Sequence, residues 1–94
     1  MPNSNEMDEQ VDYVVELIDA IVEDTQVPRN IRKSLENAKD KILAEEGESL
    51  SVNATNAIYA LDEVSNDINM PPHTRTEIWT IISELESIRE KSKG

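Results

Sequence analysis

The chain has 94 residues, a formal net charge of −11 and no cysteine, with two glycines, one histidine, one tryptophan and no phenylalanine. One small domain over residues 1–94 is the expected scale, while disulfides, a thiolate nucleophile and cysteine-based zinc sites are excluded. The acidic balance argues against direct nucleic-acid binding, which needs a basic footprint, and suits a basic partner, mimicry of a polyanion or a solvated acidic surface.

The start, MPNSNEMDEQ, is polar and acidic and lacks the basic and apolar segments of a secretory signal. The longest apolar run, AIYAL, is far too short for a membrane span. A cytoplasmic protein without membrane contact is expected, so the Asn53-Ala54-Thr55 sequon carries no meaning. From Asp8 to Glu23, Val11, Val14, Val15, Ile18, Ile21 and Val22 recur at spacings of three and four, one face of a helix. A second stripe, Ile31, Leu35, Ala38 and Ile42 with Leu43 beside it, runs from Pro28 to Glu46, where Gly47 supplies a stop. Ser49 or Ser51 can cap the third helix, whose stripe is Leu50, Ala54, Ala57, Ile58, Leu61 and Val64. Its small side chains permit close approach, which places it centrally. The fourth stripe, Ile78, Ile81, Ile82, Leu85 and Ile88, lies between Pro71 and Lys91.

The segments DAIVEDTQVPRNIRKSL and DEVSNDINMPPHTRTEI align at an offset of 43 positions. Asp19 matches Asp62, Asp24 matches Asp67, Pro28 matches Pro71 and Arg32 matches Arg75. The apolar positions keep the same register, as Val27 with Met70 and Leu35 with Ile78 illustrate. A helical hairpin is therefore duplicated, over about 8–46 and 50–91. The period falls in the range of HEAT and armadillo repeats, but an open stack needs about three repeats to bury its faces. An all-α antiparallel four-helix bundle closed from two hairpins is expected, with an open HEAT-like pair as the alternative.

The duplication assigns roles to the turns. Pro28 and Pro71 stand where each second helix begins, at the first helical position that tolerates proline. Asp24 and Asp67 lie just ahead and are expected to cap the exposed N–H groups. Arg32 and Arg75, one turn in, are expected to hold an aspartate or a turn carbonyl through the planar guanidinium fork. His73 and Trp79 are not duplicated, since their counterparts are Asn30 and Glu36.

Through EDTQVPRNIR and SNDINMPPHTRTEIW the chain resembles an archaeal uncharacterised protein family, number 0147, of small acidic proteins. The likeness covers nearly the whole chain, most specifically from Glu16 to Leu85. It implies a cytoplasmic four-helix bundle. It implies no activity, and no catalytic residue is carried over from it.

Chemistry-bearing constellations are sparse. Asp62, Glu63, Asn66, Asp67 and Asn69 offer oxygens, but the glycine of a calcium loop is missing and Glu77 stands at the wrong spacing. One histidine cannot make the paired motifs of a di-iron bundle. Thr74 and Thr76 flank His73 without a nucleophile elbow or oxyanion glycine, and Gly47 and Gly94 cannot form a phosphate-cradling loop. No catalytic residue, metal or cofactor is assigned, and the protein is not read as an enzyme.

What remains is surface. From Glu6 to Asp24 there are eight acidic residues and no basic one; from Arg29 to Lys41 there are five basic residues. Packing the two helices side by side would make these flanks complementary. Acids left outward, such as Asp12 and Glu16, would form a docking face, and Trp79, with Leu17, Tyr59 and Met70, supplies apolar surface. The leading reading is a non-catalytic protein-interaction or scaffold module whose partner is basic. A polyanion mimic and a small-ligand binder between helices are the alternatives, and self-association is compatible with each.

Overall fold

The computed structural model describes residues 3–44 and 49–93, with side chains from residue 7 onward. Four helices follow one another: α1 (Asn3–Val22), α2 (Arg29–Ile42), α3 (Leu50–Asp62) and α4 (Pro72–Lys91). No strand occurs among the described residues. α1 begins earlier than its apolar stripe, and α2 ends at Ile42, with Leu43 N–H donating to the Lys39 carbonyl at 3.0 Å. Gly47, read as the helix stop, lies outside the described residues, as does the side chain of Glu6. Of the two candidate serines, Ser49 caps α3, its hydroxyl accepting from Val52 N–H at 3.2 Å.

The bundle is closed. α1 packs on α2 and α4, and α3 packs on the same two, with no contact across either diagonal among the described residues. An open pair of stacked hairpins would instead lay α1 along α3 and α2 along α4. Closure lets each apolar stripe face a common axis, which two hairpins need because neither can cover itself. α3 occupies one corner of this ring and is not central. Its alanines show in its denser packing against α2 and α4 than α1 achieves.

The stripes meet in one core. Val14, Ile18 and Ile21 of α1, Ile31, Leu35, Ala38 and Ile42 of α2, Ala54, Ala57, Ile58 and Leu61 of α3, and Ile78, Ile81, Leu85 and Ile88 of α4 are buried. Val11, Val15, Val22, Leu50 and Ile82 pack on its flanks. Val64 and the pre-proline residues Val27 and Met70 close the core at the turn end. Met70, read as a surface candidate, is 4% exposed because the turn folds it inward. Basic residues stand in the last turns of α2 (Lys39, Lys41) and α4 (Arg89, Lys91), where they oppose the negative helix ends.

Among the described residues, two buried polar side chains interrupt the aliphatic interior. Asn53 satisfies the chain leaving α2, donating from Nδ2 to the Ala44 carbonyl at 2.7 Å. Thr74 is fully buried, and its hydroxyl has no hydrogen-bond partner among the described residues. Its counterpart in the first hairpin is Ile31, equally buried. A buried hydroxyl without a partner costs about 1–3 kcal/mol, so Thr74→Val should raise unfolding stability by roughly 1–2 kcal/mol. Urea unfolding followed by circular dichroism checks this; an unchanged or lower midpoint would mean that the hydroxyl is satisfied.

Candidate functional site

The duplicated turns join α1 to α2 and α3 to α4 at one end of the bundle. Their Asx-turn and backbone bonds repeat. Asp24 Oδ1 accepts from Gln26 N–H at 2.9 Å, and Asp67 Oδ1 accepts from Asn69 N–H at 2.8 Å. The Asp24 and Asp67 carbonyls accept from Val27 and Met70 N–H at 3.1 and 3.2 Å. Pro28 (φ −54°, ψ 147°) and Pro71 (φ −58°, ψ 143°) share one extended conformation.

This geometry differs from the expected caps. Pro28 and Pro71 occupy the N-cap position, one residue before the helix, and neither N-cap has a side-chain hydrogen bond. Pro72 reinforces this at Pro71, because proline disfavours helical geometry in the residue before it, but Pro28 takes the same conformation ahead of Arg29. Asp24 and Asp67 stand four residues ahead of those N-caps. Each folds its carboxylate onto the N–H two residues on, in an Asx turn, rather than onto the helix start.

Arg32 and Arg75 hold turn carbonyls. Arg32 Nε donates to the Val27 carbonyl at 3.0 Å. Arg75 spans more of its turn, with Nη1 donating to the Ser65 carbonyl at 2.7 Å and Nη2 to the Asp67 carbonyl at 3.0 Å. The two turns also grip each other. Asn30 Nδ2 donates to Asp67 Oδ2 at 3.0 Å, and at the equivalent place His73 Nε2 lies 3.9 Å from Asp24 Oδ2. Two reciprocal contacts of this kind are the mark of an approximate two-fold axis. The sequence offset identifies the matched residues but not that they face one another, so Asn30 was not singled out.

The turn end offers structure more than chemistry. His73 and Asp24 are too far apart for a strong hydrogen bond. The Thr76 hydroxyl donates to the Pro72 carbonyl at 3.3 Å, within its own helix. Among the described residues no group of three or more His, Asp or Glu could hold a metal ion.

The charged flanks meet at one point. Lys39 Nζ lies 2.9 Å from Asp19 Oδ1, which raises the lysine pKa above its ordinary value. Arg29, Arg32 and Lys33, with Glu36, instead line a separate hollow of about 410 Å³ on α2. Asp12 and Glu16 are exposed. α1 is tied to α4 by Gln10 Nε2, which donates to Glu84 Oε1 at 3.0 Å. Trp79 is 60% exposed and lines a groove between α3 and α4; Tyr59 is 64% exposed, and Leu17 packs against the core. The predicted turn residues therefore gather at one end, while Asp12, Glu16 and Trp79 lie on α1 and α4 outside it.

Asp67 is held below the usual carboxylate range, first by the Asn69 N–H, then by Asn30, with Arg75 adding its charge. A depressed folded-state pKa adds stability above the unfolded value of about 3.9, which is lost as pH falls through the folded value. The melting temperature should therefore drop as pH is lowered from about 5 toward 3. Asp67→Asn should lower it at neutral pH and flatten part of that acid slope. Thermal melts across this range check the pair; parallel curves would remove Asp67 as a contributor.

The chain matches the uncharacterised protein family UPF0147 over residues 1–88. The UPF0147 protein of Methanocaldococcus jannaschii is 55% identical over 73 residues, covering 78% of this chain and 77% of that protein. The UPF0147 protein of Methanothermobacter thermautotrophicus is 48% identical over 86 residues, covering 92% and 83%. The crystal structure of the unknown-function protein MMP1188 superposes with a TM-score of 0.79 at 50% identity, covering 83% of this chain and 88% of that one. That of a UPF0147 protein from Thermoplasma acidophilum superposes with a TM-score of 0.78 at 38% identity, covering 88% and 98%. None of these names or descriptions states an activity. With its helices, its duplicated turns and these relatives in agreement, the chain belongs to the uncharacterised protein family UPF0147.

Proposed function

We propose that the protein is a non-catalytic interaction module of the cytoplasm that docks a basic protein partner through the acidic outer side of α1. One observation carries this reading. Asp8, Glu9, Asp12, Glu16 and Glu23 are exposed, and of the acids of α1 only Asp19 meets a lysine among the described residues. Like charges four apart, such as Asp12 and Glu16, cost an isolated helix a few tenths of a kcal/mol each. The fold nevertheless leaves these acids facing solvent while α2 carries its own basic residues elsewhere. Such a field accelerates encounter with a cationic surface and weakens with salt. No helix among the described residues is long and apolar enough to cross a membrane, which is compatible with a partner met in the cytoplasm.

The test starts from a partner captured by the native protein from cell extract and then purified. Its affinity is measured from about 50 to 500 mM salt, a range over which the Debye length shortens severalfold, for wild type and for Asp12→Asn/Glu16→Gln. Affinity should fall steeply with salt for wild type and less steeply for the double variant. Affinity indifferent to both salt and neutralisation would contradict an electrostatic dock on α1.

A further inference from the structure

The duplication supplies an internal control for the outer grooves. In the first hairpin the groove between α1 and α2 is bridged by Lys39 and Asp19. The residues equivalent to Asp19, Glu36 and Lys39 in the second hairpin are Asp62, Trp79 and Ile82. The aspartate is kept, the lysine that neutralises it has become isoleucine, and a neighbouring acid has become tryptophan. The groove between α3 and α4 is correspondingly open, a cavity of about 250 Å³ lined by Asp62, Ser65, Trp79, Ile82 and Ser83. Asp62 is exposed, and among the described residues its carboxylate has no ion-pair partner.

We propose that this groove binds an arginine side chain presented by a basic partner protein. A carboxylate, an indole and an aliphatic side chain lining one groove suit a guanidinium group: an indole attracts a cation over its face, a carboxylate can accept two parallel N–H bonds, and Ile82 can cover the arginine stem. The incoming cation takes the place that Lys39 fills within the chain in the first hairpin. Arginine is favoured over lysine because its planar group stacks on an aromatic ring while it pairs. The inference deepens the interaction reading and rests on it, adding a specific anchor to the diffuse acidic field of α1.

The test uses Trp79, the only tryptophan, as its own reporter. The full chain is titrated with a short glycine-serine peptide carrying two arginines, and with counterparts carrying citrulline or lysine. The arginine peptide should give a saturable change in Trp79 emission, the lysine peptide a weaker response and the citrulline peptide none. Asp62→Asn should weaken the arginine response about two- to fivefold, by loss of a charge-assisted pair at an exposed carboxylate. Asp40→Asn, at the position equivalent to Ser83 in the first hairpin, changes net charge equally and should leave the response near wild type. Equal responses to arginine, lysine and citrulline, or equal losses in the two variants, would overturn the site. So would an emission change that follows protein concentration without peptide, because a second copy would then fill the groove. If a purified partner loses affinity on Asp12→Asn/Glu16→Gln but not on Asp62→Asn, the groove fails and the acidic dock stands.

Discussion

Two apolar hairpins have no cover but each other, and the architecture follows from that. Each hairpin carries two aliphatic stripes, and no phenylalanine is available to fill a gap. Burying all four stripes at once requires the ring in which α1 closes on α4. The turns follow from that requirement. Val27 and Met70 must enter the core where the chain reverses, so the residues around them fold into an Asx turn, and a proline in extended geometry starts the next helix. The arginine one turn later then ties down carbonyls that the reversal leaves over. The reciprocal contacts of Asn30 with Asp67 and His73 with Asp24 are the outer surface of the same arrangement.

Inside, the halves remain alike; outside, they have diverged. Buried positions match pair by pair, Ile18 with Leu61, Leu35 with Ile78 and Ala38 with Ile81. Thr74, the counterpart of Ile31, is the conspicuous internal departure, a buried hydroxyl with no hydrogen-bond partner among the described residues. The outer positions carry different chemistry on the same scaffold. The first hairpin presents an acidic helix, a basic hollow on α2 and, apart from that hollow, the Lys39–Asp19 ion pair that joins α1 to α2. The second presents an aromatic residue, an aliphatic residue and, in the same groove, a carboxylate with no ion-pair partner among the described residues. A duplicated bundle can vary these positions at little cost, because substitutions away from the core usually change stability by less than about half a kcal/mol.

Much of the fold was legible in the sequence, for a definite reason. Spacings of three and four mark one face of each helix, and the 43-position register ties the turns together. Those signals located the stripes, the prolines and the turn-binding role of the arginines. They do not say which helix a stripe faces, so α3 was placed centrally although the ring has no centre. Nor do they resolve a shift of one residue at a helix start, which separates a proline at the N-cap from one inside the helix, or tell an Asx turn from a cap, which is the difference at Asp24 and Asp67. The surface was less legible still. Asp12, Glu16 and Trp79 could be named as outward, but the pairing of Lys39 with Asp19 and the grouping of Asp62 with Trp79 and Ile82 depend on which flanks two helices turn toward each other. Asn53 was hidden because its partner is a backbone carbonyl nine residues away.

The second hairpin keeps the acid of the first but not its internal cation, and in the proposed site a partner's arginine supplies one. Ile82→Lys tests this most directly, since it restores the lysine of the first hairpin beside Asp62 while Trp79 remains as reporter. Ile82 sits on the flank of the core, where a lysine stem can lie along apolar surface with its charge in solvent. The helical spectrum should be unchanged and the arginine-peptide response lost, because the groove then carries its own cation. A folded Ile82→Lys protein that still answers arginine as wild type does would contradict the proposed site.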